Sequence, residues 1–267
     1  MKLRLAFALL ATLAVAACAP KQPETTPTPA ASESAPAPAA AAAGETAAAP
    51  APVATPAADA APEAPRPAPT PYTGPALVPG VDYVEVPGGQ PFEPLNGKIE
   101  VVEFFNYICP ACYSFKPTFE AWEKKQAADV RVTLVPATFR PDFTAYAKVY
   151  YAAEALGIAG KSHDAVYQAI HLQHTLPGEG DQIDEDKIAA FYAAYGTDAA
   201  TFKATMNSFA VAGKVNRAKQ FMTRSQIGGT PSLIVNGKYL VKGKNWEDMV
   251  RIAEGLVAQE RAAGGAR

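Results

Sequence analysis

The sequence predicts an α/β domain in which a βαβ unit and a ββα unit supply strands to one sheet, with an all-helical subdomain inserted between them. Three observations carry this reading. Residues 99–105 form a nearly continuous apolar run, a helical pattern follows from Cys109 to about Gln126, and residues 130–135 read as the next strand. Strand, helix and strand joined by short links make a right-handed βαβ unit. Further on, Leu233-Ile234-Val235 and Tyr239-Leu240-Val241 flank Asn236-Gly237, a pair suited to a type I′ hairpin because both central residues of that turn need positive φ. Between these segments the apolar residues recur at helical spacing, without the alternation of a strand.

Taken in order, the chain starts with a short basic end (Lys2, Arg4), an apolar run over residues 5–17, and the small residues Val15-Ala16-Ala17 before Cys18. The run is too short to span a bilayer and reads as an export signal. The Val-Ala-Ala-Cys junction resembles a bacterial lipobox, which implies a lipoprotein signal peptide over 1–17 and acylation of Cys18; an ordinary secretory signal with an incidental cysteine is the plainer alternative. Residues 18–76 are dominated by Ala and Pro. Frequent proline breaks the helices that alanine favours, and so little apolar surface cannot offset the entropy of ordering, so this segment is expected to be a disordered tether. It would reach about 40 Å as a coil and about 170 Å as polyproline II.

Residues 77–262 are long enough to bury a core of their own. Residues 81–86 alternate like a half-buried strand, whereas 99–105 are apolar on both faces, as a covered central strand should be. Pro117 is expected to kink the helix after Cys109. The inserted subdomain, about 141–208, places Tyr146, Val149, Tyr150 and Ala153 at helical spacing, then Val166, Ala169 and Ile170, then Ile188, Phe191, Tyr192 and Tyr195, then Phe202 and Met206. Val211, Val215, Ala218 and Met222 mark a long helix ending near Gly228-Gly229. A closing helix starts at Asn245, a plausible N-cap, with Trp246, Met249, Val250, Ala253 and Val257 on one side.

Chemistry concentrates at Cys109-Pro110-Ala111-Cys112, where the central strand gives way to a helix. Two thiols at this spacing can close a disulfide on each other, and the unpaired N–H groups of a helix N-terminus stabilise whichever sulfur becomes a thiolate. Glu103 is an acid inside an apolar strand, and Thr230-Pro231 lies immediately before the first hairpin strand. With 24 Lys and Arg against 26 Asp and Glu, a net charge of −2 gives no reason to expect nucleic acid as a partner.

These features, in this order, match the thioredoxin fold. With the helical insertion, and with Val102-Glu103-Phe104-Phe105, Cys109-Pro110, Cys112-Tyr113 and Val235-Asn236-Gly237-Lys238-Tyr239, the chain resembles the DsbA-like periplasmic thiol:disulfide oxidoreductases. The resemblance implies that Cys109 is the attackable sulfur, Cys112 the more buried resolving thiol and Glu103 a buried carboxylate relaying a proton. It also implies that Thr230 and a cis Pro231 present the backbone to an extended substrate, and that Pro110 and Ala111 tune the redox poise. Two residues depart from the family pattern: Ala111 stands where the best-known members carry His, and Leu134 where some carry a buried Lys. With neither charge nor donor at Ala111, the disulfide is expected to be a weaker oxidant than theirs.

The partners so implied are reduced or unfolded exported proteins and a DsbB-like membrane re-oxidant. The membrane itself would be reached through the Cys18 lipid, the protein being periplasmic and monomeric. No cofactor and no metal is expected: zinc wants four ligands, and His163, His171 and His174 have no thiol or carboxylate placed by sequence to complete a set, although His171 and His174 would share a helix face. The competing readings are a reductase or isomerase of the same chemistry, a non-catalytic client-binding module, and a purely structural disulfide.

Overall fold

A computed structural model describes residues 66–264. The signal peptide, the Cys18 acylation site and most of the expected tether lie outside the described residues. The last part of that expected tether, residues 66–76, lies against the domain: Arg66 donates to the Val130 carbonyl at 3.2 Å, and the Tyr72 hydroxyl accepts from Arg251 at 3.0 Å. Gly255 on the last helix faces this stretch: a Cβ there would come within 2.8 Å of the Leu77 side chain and 3.1 Å of the Tyr72 ring.

Strands β1 (Tyr83–Glu85), β2 (Ile99–Phe105), β3 (Val130–Pro136), β4 (Ser232–Val235) and β5 (Tyr239–Val241) form one sheet in the order β1-β5-β4-β2-β3. β2 pairs parallel with β3 and antiparallel with β4, and is buried along its whole length. β1 is shorter than its alternating pattern suggests, because Val81, 57% exposed, falls in a turn whose backbone bonds back to Val78.

Successive β2 side chains serve opposite faces. Ile99 and Val101 join Phe115, Phe119 and Trp122 of α1 (Pro110–Glu123) and Ile252, Leu256 and Val257 of α7 (Trp246–Ala262). Val102 and Phe104 join the larger core formed with the inserted helices and with α6 (Phe209–Arg224), where Phe104 stacks on Phe221 with ring centroids 5.3 Å apart. The insertion consists of α2 (Pro141–Ala155), α3 (Ala159–His171), α4 (Glu185–Phe191) and α5 (Ala199–Met206), with a 3₁₀ turn at Tyr192–Tyr195 that ends on Gly196 at φ 89°. α1 continues as helix through Pro117. Asn245 caps α7, its Oδ1 accepting from the Asp248 N–H at 2.8 Å.

The hairpin holds Asn236 at φ 49° and Gly237 at φ 67°, as a type I′ turn requires. A Cβ on Gly237 would also strike the Gln90 carbonyl. Gly237→Ala is therefore expected to destabilise the protein by about 2 to 3 kcal/mol, through backbone strain and the clash together, as measured by denaturant unfolding.

Candidate active site

Cys109 is the N-cap of α1. Its backbone is extended (φ −81°, ψ 113°) and its Sγ accepts the Cys112 N–H at 3.3 Å, so a sulfur occupies the place that Ser, Thr or Asp usually takes at a helix start. Pro110 at the first helical position removes an N–H that the helix could not have used. The cap aims the sulfur across to the loop before β4. There the Thr230–Pro231 bond is cis and the Thr230 carbonyl lies 3.5 Å from Cys109 Sγ. The structure thus gathers Cys109, Pro110, Ala111, Cys112, Thr230 and Pro231 in one place.

Cys109 is only 7% exposed, more enclosed than an attackable sulfur suggests, because the loop before β4 closes over it; Cys112 is wholly buried, and both thiols are free. Their surroundings drive the two acidities apart. The Cys112 thiol donating to the Cys109 sulfur is the largest influence pulling the Cys109 pKa down to about 6; burial opposes it, while the Thr230 side chain and the N–H groups of Cys112 and Ala111 add to it. Cys112 moves steeply upward, first through burial and then through giving its hydrogen bond to Cys109. One sulfur is thus set up as thiolate and the other as thiol.

Reduced protein should therefore show a thiolate absorbance that disappears with an inflection near pH 6, and Cys109→Ser should abolish the inflection. Because this pKa is depressed on folding, the stabilisation it gives the reduced form is complete above the pKa of an unfolded thiol and is lost as the pH falls through about 6.

Glu103 sits on β2 opposite Leu134 of β3 and Leu233 of β4. It is 6% exposed, and its carboxyl makes no side-chain hydrogen bond to the described residues. Burial raises its pKa to about 8, with Glu123 and Glu120 adding repulsion and Lys116 opposing them. Its charge in turn holds Cys112 up. Glu103 lines a cavity of about 530 Å³ together with Lys116, Phe119, Leu134, Tyr151 and His163.

Two features of the site have no signal in the sequence. The first is Lys116 of α1, which lines the same cavity as Glu103 and whose Nζ lies 2.5 Å from both Glu120 and Asp164. The second is a bridge from the insertion to the segment before the dithiol. The Tyr107 hydroxyl bonds His163 Nδ1 at 3.0 Å, and the Tyr107 carbonyl lies 2.7 Å from His171 Nε2. The His171 ring stacks on Tyr113, beside Cys112, with centroids 4.8 Å apart. His174 does not share a face with His171: α3 ends at His171, and His174 takes a left-handed conformation at φ 52°.

Comparison with known proteins places these features in context. Residues 100–253 match the family described as DSBA-like thioredoxin domain. The thiol:disulfide interchange protein DsbA of Pseudomonas aeruginosa is 37% identical over 191 residues, covering 69% of this chain and 86% of that protein. Its counterpart from Burkholderia cepacia is 40% identical over 160 residues, 60% of this chain and 73% of that one. Among solved structures, the oxidoreductase DsbA from Xylella fastidiosa is similar with a TM-score of 0.67 and 44% identity, covering 70% of this chain and 98% of that one. Pseudomonas aeruginosa DsbA follows the same path at a TM-score of 0.62 and 35% identity, covering 71% and 97%.

Proposed function

This chain belongs to the family of DSBA-like thioredoxin domains, and from that membership and the geometry of the dithiol we infer that it is a thiol:disulfide oxidoreductase introducing disulfides into protein substrates through Cys109 and Cys112. The observation that carries the mechanism is the Cys109 sulfur capping α1 beside the Thr230 carbonyl.

In the oxidised enzyme a substrate thiolate attacks Cys109 Sγ. The Cys109–Cys112 bond breaks, Cys112 leaves with the electron pair, and neutral Glu103 returns a proton to it through water in the cavity beneath. A second substrate thiolate then attacks the substrate sulfur of the mixed disulfide and releases Cys109 as a thiolate. The substrate has lost two electrons and the enzyme has gained them. Thr230 and Pro231 offer backbone groups to the substrate segment in an extended conformation. Pro110 and Ala111 leave the Cys109 thiolate to be stabilised by the helix start and by Cys112.

A thiolate titrating at about 6 is less stabilised than that of DsbA, at roughly 3.5, and a little more than that of thioredoxin, at roughly 7. Equilibration with glutathione should accordingly give a potential between roughly −120 and −270 mV. A value at the thioredoxin end would favour the reductase reading, which the acidity of Cys109 keeps as the rival. Cell-free oxidation of a reduced protein substrate, with and without Cys109→Ser, separates an enzyme of either direction from a client-binding module.

The same inference extends to location. The protein is periplasmic, takes reduced exported proteins as substrates, is re-oxidised by a DsbB-like membrane partner and acts as a monomer tethered through lipid on Cys18. The Val-Ala-Ala-Cys junction and the Ala/Pro-rich segment after it support this reading. Mass spectrometry of the membrane fraction should find acyl chains on an N-terminal Cys18, whereas an unmodified mature protein free in the periplasm would overturn the tether.

A further inference from the structure

Glu103 poses a problem that the dithiol does not solve. A carboxyl that passes protons to and from Cys112 must itself exchange them with solvent, yet it is buried on a central strand and makes no side-chain hydrogen bond to the described residues. Its strand neighbours offer no help, since Leu134 and Leu233 flank it in register. The open side is the cavity of about 530 Å³. That volume admits several waters, and the polar groups on its wall supply the partners that ordered water needs.

The charges around that cavity can be followed element by element. From α2, Glu154 is neutralised by Lys214 of α6 at 2.5 Å, while Tyr150 and Tyr151 are pushed up by burial and stay neutral. Arg217 of α6 is held by Glu93 at 2.6 Å. His163 of α3 is pushed down to about 4 by burial and is also neutral at physiological pH. From the site itself, Cys109 acts on Glu103 only as negative charge. What remains is α1, with Glu120, Glu123 and Lys116. Lys116 is the lining cation that α1 supplies, its Nζ held between Glu120 and the largely exposed Asp164 of α3, with 14% of its side chain accessible.

We propose that Lys116 is the positioning residue of the proton relay: clamped by Glu120 and Asp164 on the cavity wall, it is the cation that allows Glu103 to release its proton to cavity water and take it back as the disulfide closes and opens. The proposal rests on the reading of Glu103 as the relay to Cys112. Without Lys116, Glu103 faces the negative charge of Glu120 and Glu123, of which Glu123 alone has Arg66 and Lys124 to offset it, and keeps its proton to higher pH; the effect of Lys116 on the Glu103 carboxyl has this sign. The relay base is then scarce in the neutral range, and deprotonation of Cys112 slows.

The test is the rate at which Cys112 resolves a glutathione mixed disulfide on Cys109, followed by rapid acid quench and mass spectrometry from pH 5 to 10 after mixing reduced full-length protein with glutathione disulfide. The wild-type rate should rise with an inflection near 8. Lys116→Met should move the inflection up by about one unit and slow resolution at pH 7 by about tenfold, and Lys116→Arg should restore it. Asp164→Asn, a mild change at the surface, should move the inflection upward by less than Lys116→Met does, because Lys116 loses one of the two carboxylates that hold it on the cavity wall; this arm holds even where Lys116→Met folds poorly. An inflection that is the same in Lys116→Met and wild type, or in Asp164→Asn and wild type, overturns the assignment of Lys116. Glu103→Gln separates the layers: it should flatten the profile, and a profile it leaves unchanged would remove Glu103 as the relay and Lys116 with it.

Discussion

Replacing Cys112 with serine is expected to abolish turnover and to leave the protein covalently joined to whatever disulfide it meets. Cys109 keeps its position as helix cap, and Thr230 and the backbone N–H groups of the helix start still lower its pKa, so attack on an external disulfide proceeds. The resolving step is lost. In the wild-type protein the second thiol is held one turn away on the same helix, its N–H bonded to the Cys109 sulfur at 3.3 Å. Such placement gives an intramolecular thiol an effective concentration far above that of any free thiol, and its removal should slow resolution by at least about a thousandfold. Incubated with glutathione disulfide, the variant should accumulate one glutathione on Cys109 while the wild type proceeds to the Cys109–Cys112 bond, a difference read directly by mass. A variant that still completed the cycle would show that another group resolves the intermediate.

Glu103→Gln should make the protein more stable and a poorer catalyst at once. Burial raises the Glu103 carboxyl from near 4.5 to about 8, so the folded protein keeps a proton that the unfolded chain has already released. The associated stability is complete below about 4.5 and drains away as the pH climbs toward 8. At pH 7 the deficit is about 3 kcal/mol by linkage, and a neutral amide of the same shape should recover much of it. The gain should vanish near pH 4, where glutamate is protonated in both states. Urea unfolding at the two pH values tests this, and equal stabilisation at both would mean that packing, not ionisation, was responsible. Over the same range the loss of the relay should slow Cys112 resolution about 10² -fold at neutral pH.

Much of the site could be read from the chain because its parts are local. The Cys109-Pro110-Ala111-Cys112 run carries its own helix start, and the extent of β2 follows from seven residues that need cover on both faces. Asn236-Gly237 specifies its turn through positive φ, and Asn245 its cap through one side-chain oxygen. What escaped the reading depends on tertiary meetings. Lys116 looks like an ordinary helix-surface lysine beside an i,i+4 glutamate until α3 brings Asp164 to it. The Tyr107, His163 and His171 bridge likewise joins a loop to a helix of the insertion, with no spacing rule to announce it. The regular pattern at Tyr192 and Tyr195 suggested an α-helix, but the chain tightens into a 3₁₀ turn to reach the left-handed Gly196. Residues 66–76, too poor in large apolar groups to fold alone, hold to the domain through Arg66 and Tyr72.

The sheet order also sets a clock. Tyr83 pairs with Val241 and Val101 with Val235, and the Glu100 N–H is satisfied by the Asn236 side chain 136 residues away. As the chain leaves the ribosome, β2 can find β3 early, but its other edge stays bare until the entire insertion and α6 have been made. Pairings this distant in sequence are the slow ones, because a long loop must close before any contact rewards it. A nascent chain of this design therefore keeps β1 unpaired and the β4 edge of β2 bare for most of its synthesis. Under the export proposed above, that delay would be useful: the last strands to be translated are the ones that close the sheet, so the domain becomes too bulky to thread only after they have been supplied.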